Sequence, residues 1–245
     1  MKIAICFLSK EENHFNYNLL KEQCNNSKNH KIDIFYYINK DIYNYKKTKD
    51  YIYFNYNYLQ YKFNYNHIFL NKSSKFCSYV GLTFLPWLDM YFNNKDKYDF
   101  YLFYEDDICY YGEQNLFDLI DFNCDVILQD KNNLFKNDKE WFWYKEFDYN
   151  ILNSYDIYHS LMNIYGATKR VIDNFIIFIK KNYIHHEGLI PTFVLNNNYN
   201  INYINNYISI YCNYINDINF IKSQDYNLIH PIKTNDEYMR IKILR

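Results

Sequence analysis

The chain opens on a nearly unbroken apolar run, KIAICFL at residues 2–8, with the length and composition of a strand buried on both faces. Residues 11–24 are polar with apolar punctuation, which predicts a helix beginning near Ser9. The apolar run resumes at 31–38 (KIDIFYYI) and closes on Asn39, Lys40 and Asp41. Strand, helix, strand in such quick succession predicts a βαβ unit and a parallel sheet, because parallel neighbours need a crossover. The tyrosine-rich stretch 43–70 reads as one or two short strands. From 73 to 91 apolar residues recur at helical spacing (Phe76, Val80, Phe84, Leu88), with Pro86 expected to kink that helix.

At 98–112 the sequence YDFYLFYEDDICYYG carries an aromatic-rich run that breaks into three consecutive acids, Glu105, Asp106 and Asp107. A short helix is expected near 113–121 and a strand at 125–130 (DVILQD). The second half changes character. Residues 138–149 crowd Trp141 and Trp143 among charges, as a rim or binding loop does. A strand is expected within 155–165, followed by an amphipathic helix through YGATKRVIDNFIIFIKK. Residues 185–197 (HHEGLIPTFVLNN) predict a helix or strand, and NLIHPIK a strand that leaves the core at His230. No repeat and no Pro/Gly/Ser linker divides the chain, so 1–245 is read as a single domain.

Composition narrows the classes. The net charge of −1 argues against nucleic-acid binding through bulk electrostatics. The chain holds 31 Tyr and 20 Phe but only 4 Gly and 3 Pro. An AT-rich genome accounts for this bias, so tyrosine abundance carries no functional weight. Six Cys, at 6, 24, 77, 109, 124 and 212, form no CxxC pair and no cluster with His. This removes the usual zinc spacings and any disulfide framework. The apolar run after Met1 is too short for a signal peptide, and no stretch reaches the ~18–20 apolar residues of a membrane span. A reduced, cytoplasmic location is expected.

The acid triplet is where the chemistry concentrates. Carboxylates at the carboxyl end of a buried strand lie where open α/β sheets bind ligands. Three clustered negative charges repel one another unless a cation or several donors compensate them. An isolated EDD also reads as an acidic turn closing a strand. Together, the βαβ start, the strand KYDFYLFYEDDI and the late His-Pro-x-Lys at 230–233 resemble a GT-A-type glycosyltransferase. In that superfamily a DxD-like strand holds a divalent metal against a sugar-nucleotide diphosphate. The triplet here is EDD rather than DxD.

The resemblance implies an α/β fold, a GT-A-like (Rossmann-like) mixed, mostly parallel sheet flanked by helices. It divides the chain into a nucleotide-sugar donor half (1–130) and an acceptor half (131–245). It also implies Mn²⁺ or Mg²⁺ as cofactor, a nucleotide-diphosphate sugar as donor and a glycan or other hydroxyl group as acceptor. Asp107 becomes the first metal ligand, with Glu105 and Asp106 meeting the ribose or the metal. His230 closes the metal site and Lys233 meets the diphosphate. Ser9 and the segment after it, like Asn39 to Asp41, lie where a uracil and ribose would dock, and Lys75 or Lys72 would meet phosphate.

For the acceptor side, Glu187 in HHEG is the candidate base, placed to take a proton from an acceptor hydroxyl. It also reads as a helix-terminal acid favoured by the dipole. HHE is not a zincin motif, because Ile190 stands where HExxH needs its second His. Asp156 and Asp217 are the alternative bases. Trp141 and Trp143 would offer a platform for a sugar ring, although tryptophans fill cores as readily. A nucleotidyltransferase would want a Gly-rich loop after the first strand, where this chain has LSKEE. A non-catalytic carbohydrate- or protein-binding domain with a structural acidic turn is the alternative class.

Overall fold

In the computed structural model the described residues are 1–40, 46–65, 82–141, 144, 149–180, 185–212 and 226–232. Lys72, Lys75, Trp143, Asp217 and Lys233 lie outside them. Alternation along two strands sets the layers. In β1 (Lys2–Ser9) and β5 (Phe100–Glu105) every apolar side chain is buried, and successive ones go to opposite faces. Ala4, Cys6, Tyr101 and Phe103 join one core; Ile3, Ile5, Phe7, Phe100, Leu102 and Tyr104 join the other. The first core is closed by α2 (Tyr56–Phe63), α3 (Phe84–Asn93), α6 (Lys169–Ile179) and α7 (His186–Asn196). The second is closed by α1 (Phe15–Asn26) and α4 (Leu116–Leu119). The result is a sheet between two helical layers.

Six further strands complete that sheet: β2 (Lys31–Asn39), β3 (Lys46–Lys47), β4 (Ile52–Phe54), β7 (Val126–Leu128), β10 (Ile164–Thr168) and, at one edge, β11 (Ile201–Tyr203). The order is β11-β7-β10-β5-β1-β2-β4-β3. β10 runs antiparallel to both β5 and β7, and β3 antiparallel to β4; the other pairings are parallel. The sheet draws strands from both sides of residue 130. Gly166 permits a close approach of β10 to β5, since a Cβ there would meet the Tyr101 carbonyl oxygen at 2.7 Å. A separate three-stranded sheet sets β13 (Leu228–His230) between β12 (Ile210–Cys212) and β6 (Cys109–Tyr110). β8 (Phe135–Lys136) pairs with β9 (Tyr158–His159).

Local chemistry moved three expected boundaries. The first helix starts at Phe15 rather than near Ser9, because Asn13 adopts positive φ and the His14 side chain caps the helix, accepting from Asn16 N. Pro86 makes no kink: α3 begins at Phe84, so Pro86 sits in the first turn, where its missing N–H has no helical partner to lose. The 43–70 stretch holds the short strands β3 and β4, but also α2, bounded by Asn55 as N-cap and left-handed Asn64. The strand expected within 155–165 is split into two, β9 and the start of β10. Among the described residues no helix is long and apolar enough to cross a membrane.

Candidate functional site

β1 pairs with β2 on one side and β5 on the other, so the chain reverses its order of addition at β1. The crevice at the carboxyl ends of β1 and β5 is therefore the topological switch point, where open α/β sheets bind ligands. Ser9 ends β1 there and Glu105 ends β5, directly before Asp106 and Asp107.

His230 reaches this crevice from the other end of the chain. Pairing of β13 with β6 sets it over the acids, and the Ile232 N–H donates to the Asp107 carbonyl at 2.7 Å. His230 Nε2 lies 3.1 Å from Asp107 Oδ1 and 4.0 Å from Glu105 Oε2. Among the described residues these three form the one group with metal-ligand spacing, each offering an atom within 4.8 Å of the others. Ligand bonds of about 2.1 Å put adjacent donors roughly 3 Å apart and opposite donors roughly 4.2 Å apart. Two carboxylates and an imidazole at these separations fit a small divalent cation, and the imidazole favours Mn²⁺ over Mg²⁺. Glu105 thus joins Asp107 and His230, whereas the sequence pointed it first toward the donor.

The electrostatics agree with that fit. Burial, then Asp107, pushes the Glu105 carboxyl well above the ordinary range; an Asn163 hydrogen bond opposes the rise, while Asp106 and Glu187 add to it. Burial likewise raises Asp106. A divalent cation between Glu105 and Asp107 would remove much of the cost of ionising them.

Asp106 faces β1. Its Oδ2 accepts from Ser9 Oγ at 2.6 Å, and His14 Nε2 is 3.9 Å away. Ser9 is nearly inaccessible and its hydroxyl also accepts from Glu11 N, so it braces the acid turn.

Glu187 enters from the second half of the chain at the first turn of α7, with its carboxyl largely covered. His185 Nδ1 caps the helix by accepting the Glu187 N–H at 3.3 Å, so the neutral ring carries its proton on Nε2. Burial, with help from His186, keeps His185 well below the usual imidazole range. Pro191 lies four residues after Glu187 and has no N–H, so the helix leaves the Glu187 carbonyl unclaimed. Ser160 N takes that carbonyl at 3.0 Å, and Thr192 Oγ1 bridges Tyr158 N and Tyr158 O. Burial alone lifts the Glu187 carboxyl to about 7.

Several residues here were not singled out from sequence. Asn163 Nδ2 donates to Glu105 Oε2 at 2.5 Å, and Gln129 Oε1 accepts from Asn163 N and Ile164 N. Asn16 holds the acid turn from α1. Position beside an apolar run marks Asn163 and Gln129; nothing local marks Asn16. Trp141 differs from the expected open platform, since its ring stacks on His159 at 4.3 Å with 2° between planes. Asp156 pairs with Lys136 on the surface. No protein-family model and no curated protein matches the sequence.

Proposed function

We propose that this protein is a metal-dependent glycosyltransferase of GT-A-like fold, moving a sugar from a nucleotide-diphosphate sugar to a glycan or other hydroxyl acceptor. The observation that carries this reading is the Glu105, Asp107 and His230 group at the switch point between β1 and β5. A nucleoside diphosphate leaves readily only when its charge is neutralised, and Mn²⁺ or Mg²⁺ supplies that neutralisation as a Lewis acid. Glu105, Asp107 and His230 would hold the cation, and the crevice beside Ser9 would receive the nucleotide. Glu187, largely covered and poised near neutrality, would take the proton of the acceptor hydroxyl in an inverting reaction.

Asp107→Asn tests the reading, because Asn keeps the size of Asp and removes a charge that repels Glu105. The parent should bind UDP or GDP in calorimetry only when Mn²⁺ is present, and the variant should lose that binding. Equal nucleotide binding by both proteins would overturn the metal assignment. A response to free sugar without nucleotide would support a carbohydrate-binding module instead.

A further inference from the structure

Asn16 is 2% exposed in the first turn of α1, and its side chain spends its polar groups on one segment. Its Nδ2 donates to the carbonyls of Asp106 (2.6 Å) and Ile108 (2.5 Å), and its Oδ1 faces Cys109 Sγ at 3.1 Å. The backbone of Asn16 is fixed in turn, its N–H donating to the capping His14 Nδ1. The same acid turn is tied to β1 through Asp106 N and Leu8 O, and to the residues after β13 through Ile232 N and Asp107 O. Asn16 thus grips the carbonyls on either side of the one that Ile232 holds.

We propose that Asn16 is a positioning residue that sets the acid turn so that Glu105 and Asp107 meet one cation together with His230. The proposal rests on the metal-site reading above. Asn16 touches no ligand atom. It acts through the carbonyls on either side of Asp107, whose direction decides where that carboxylate points. Outer partners of this kind change metal affinity by roughly 10–100-fold when removed. Asn16 also lines a cavity of about 370 Å³ between α1 and the segment 110–116, with Leu20, Gln23, Tyr104 and Tyr110. Truncation of the side chain therefore opens a gap that a small amide can enter.

The test is Asn16→Ala, with Asn16→Ser as a milder variant that keeps one donor should the first fail to fold. Tyr91→Phe is the control, removing the phenol that donates to Asp173 far from the site. Mn²⁺ affinity of the whole chain and hydrogen exchange at residues 106–109 without metal are both measured. Asn16→Ala should bind Mn²⁺ about tenfold or more weakly, exchange faster at 106–109, and regain affinity when formamide is added. Tyr91→Phe should keep its affinity even where it melts earlier. Unchanged affinity and exchange in both Asn16 variants would overturn the proposal, as would an equal loss of affinity in Tyr91→Phe. A parent that binds no Mn²⁺ would overturn the metal-site reading and, with it, the cation-setting role. Exchange would still report whether Asn16 holds the turn.

Discussion

At the scale of single residues, environment decides what each carboxyl can do. Glu187 has no charged partner strong enough to offset burial, which raises its carboxyl from 4.5 to about 7. Between those values the folded protein keeps a proton that the unfolded chain has released. Its contribution to stability therefore falls as pH rises through that window, by roughly 3 kcal/mol in total. Glu187→Gln cannot titrate, so the parent's unfolding free energy relative to the variant should decline from pH 4.5 to 7. Denaturant titrations across that range check this. In catalysis the sign is opposite, because a base works only when ionised, and turnover should climb to a plateau as pH passes about 7. Glu187→Gln should lower turnover by ~10²-fold or more while leaving donor affinity nearly intact. An equal loss in donor binding would make Glu187 a donor-site residue.

At the scale of elements, the site depends on how helices end as much as on where strands run. Pro191 looks like a flaw in α7, yet its missing N–H frees the Glu187 carbonyl for Ser160 and so docks the first turn of the helix against the β9 strand. Pro191→Ala would restore a donor that competes for that carbonyl. The Ser160 amide should then exchange faster, and turnover should fall roughly tenfold as the carboxyl loses its aim. Unchanged exchange would show that the Thr192 bridge to Tyr158 suffices alone. Strands with both faces buried were the most legible elements, because KIAICFL and YLFYE announce themselves by unbroken apolarity. α2 was not legible, since tyrosines that fill a helix here read as strand formers. The helix at 15–26 was visible, but its start was set by Asn13 and His14, whose backbone angles leave no periodic trace.

At the scale of the whole molecule, the sheet brings together residues that the sequence keeps far apart. Asp107 follows β5, while His230 ends a strand of a second, smaller sheet joined to the acids by the β6–β13 pairing and by the Ile232–Asp107 backbone hydrogen bond. The acid triplet was legible as a ligand end of a strand. The His–Pro pair was legible only through resemblance, and the bracing by Asn16 and Asn163 was not legible, since those contacts exist only after the layers close. A site assembled from both ends of the chain makes ligand binding report on global stability. Mn²⁺ with UDP or GDP at about 100 times the dissociation constant should stabilise the fold by about 2.7 kcal/mol. For 245 residues that corresponds to roughly 5–10 °C in Tm. EDTA should abolish the shift, and nucleotide or Mn²⁺ alone should give less than the pair, because on the proposed reading the diphosphate would share the cation with Glu105, Asp107 and His230. Nucleotide stabilisation that survives EDTA would separate the nucleotide site from the acids of β5.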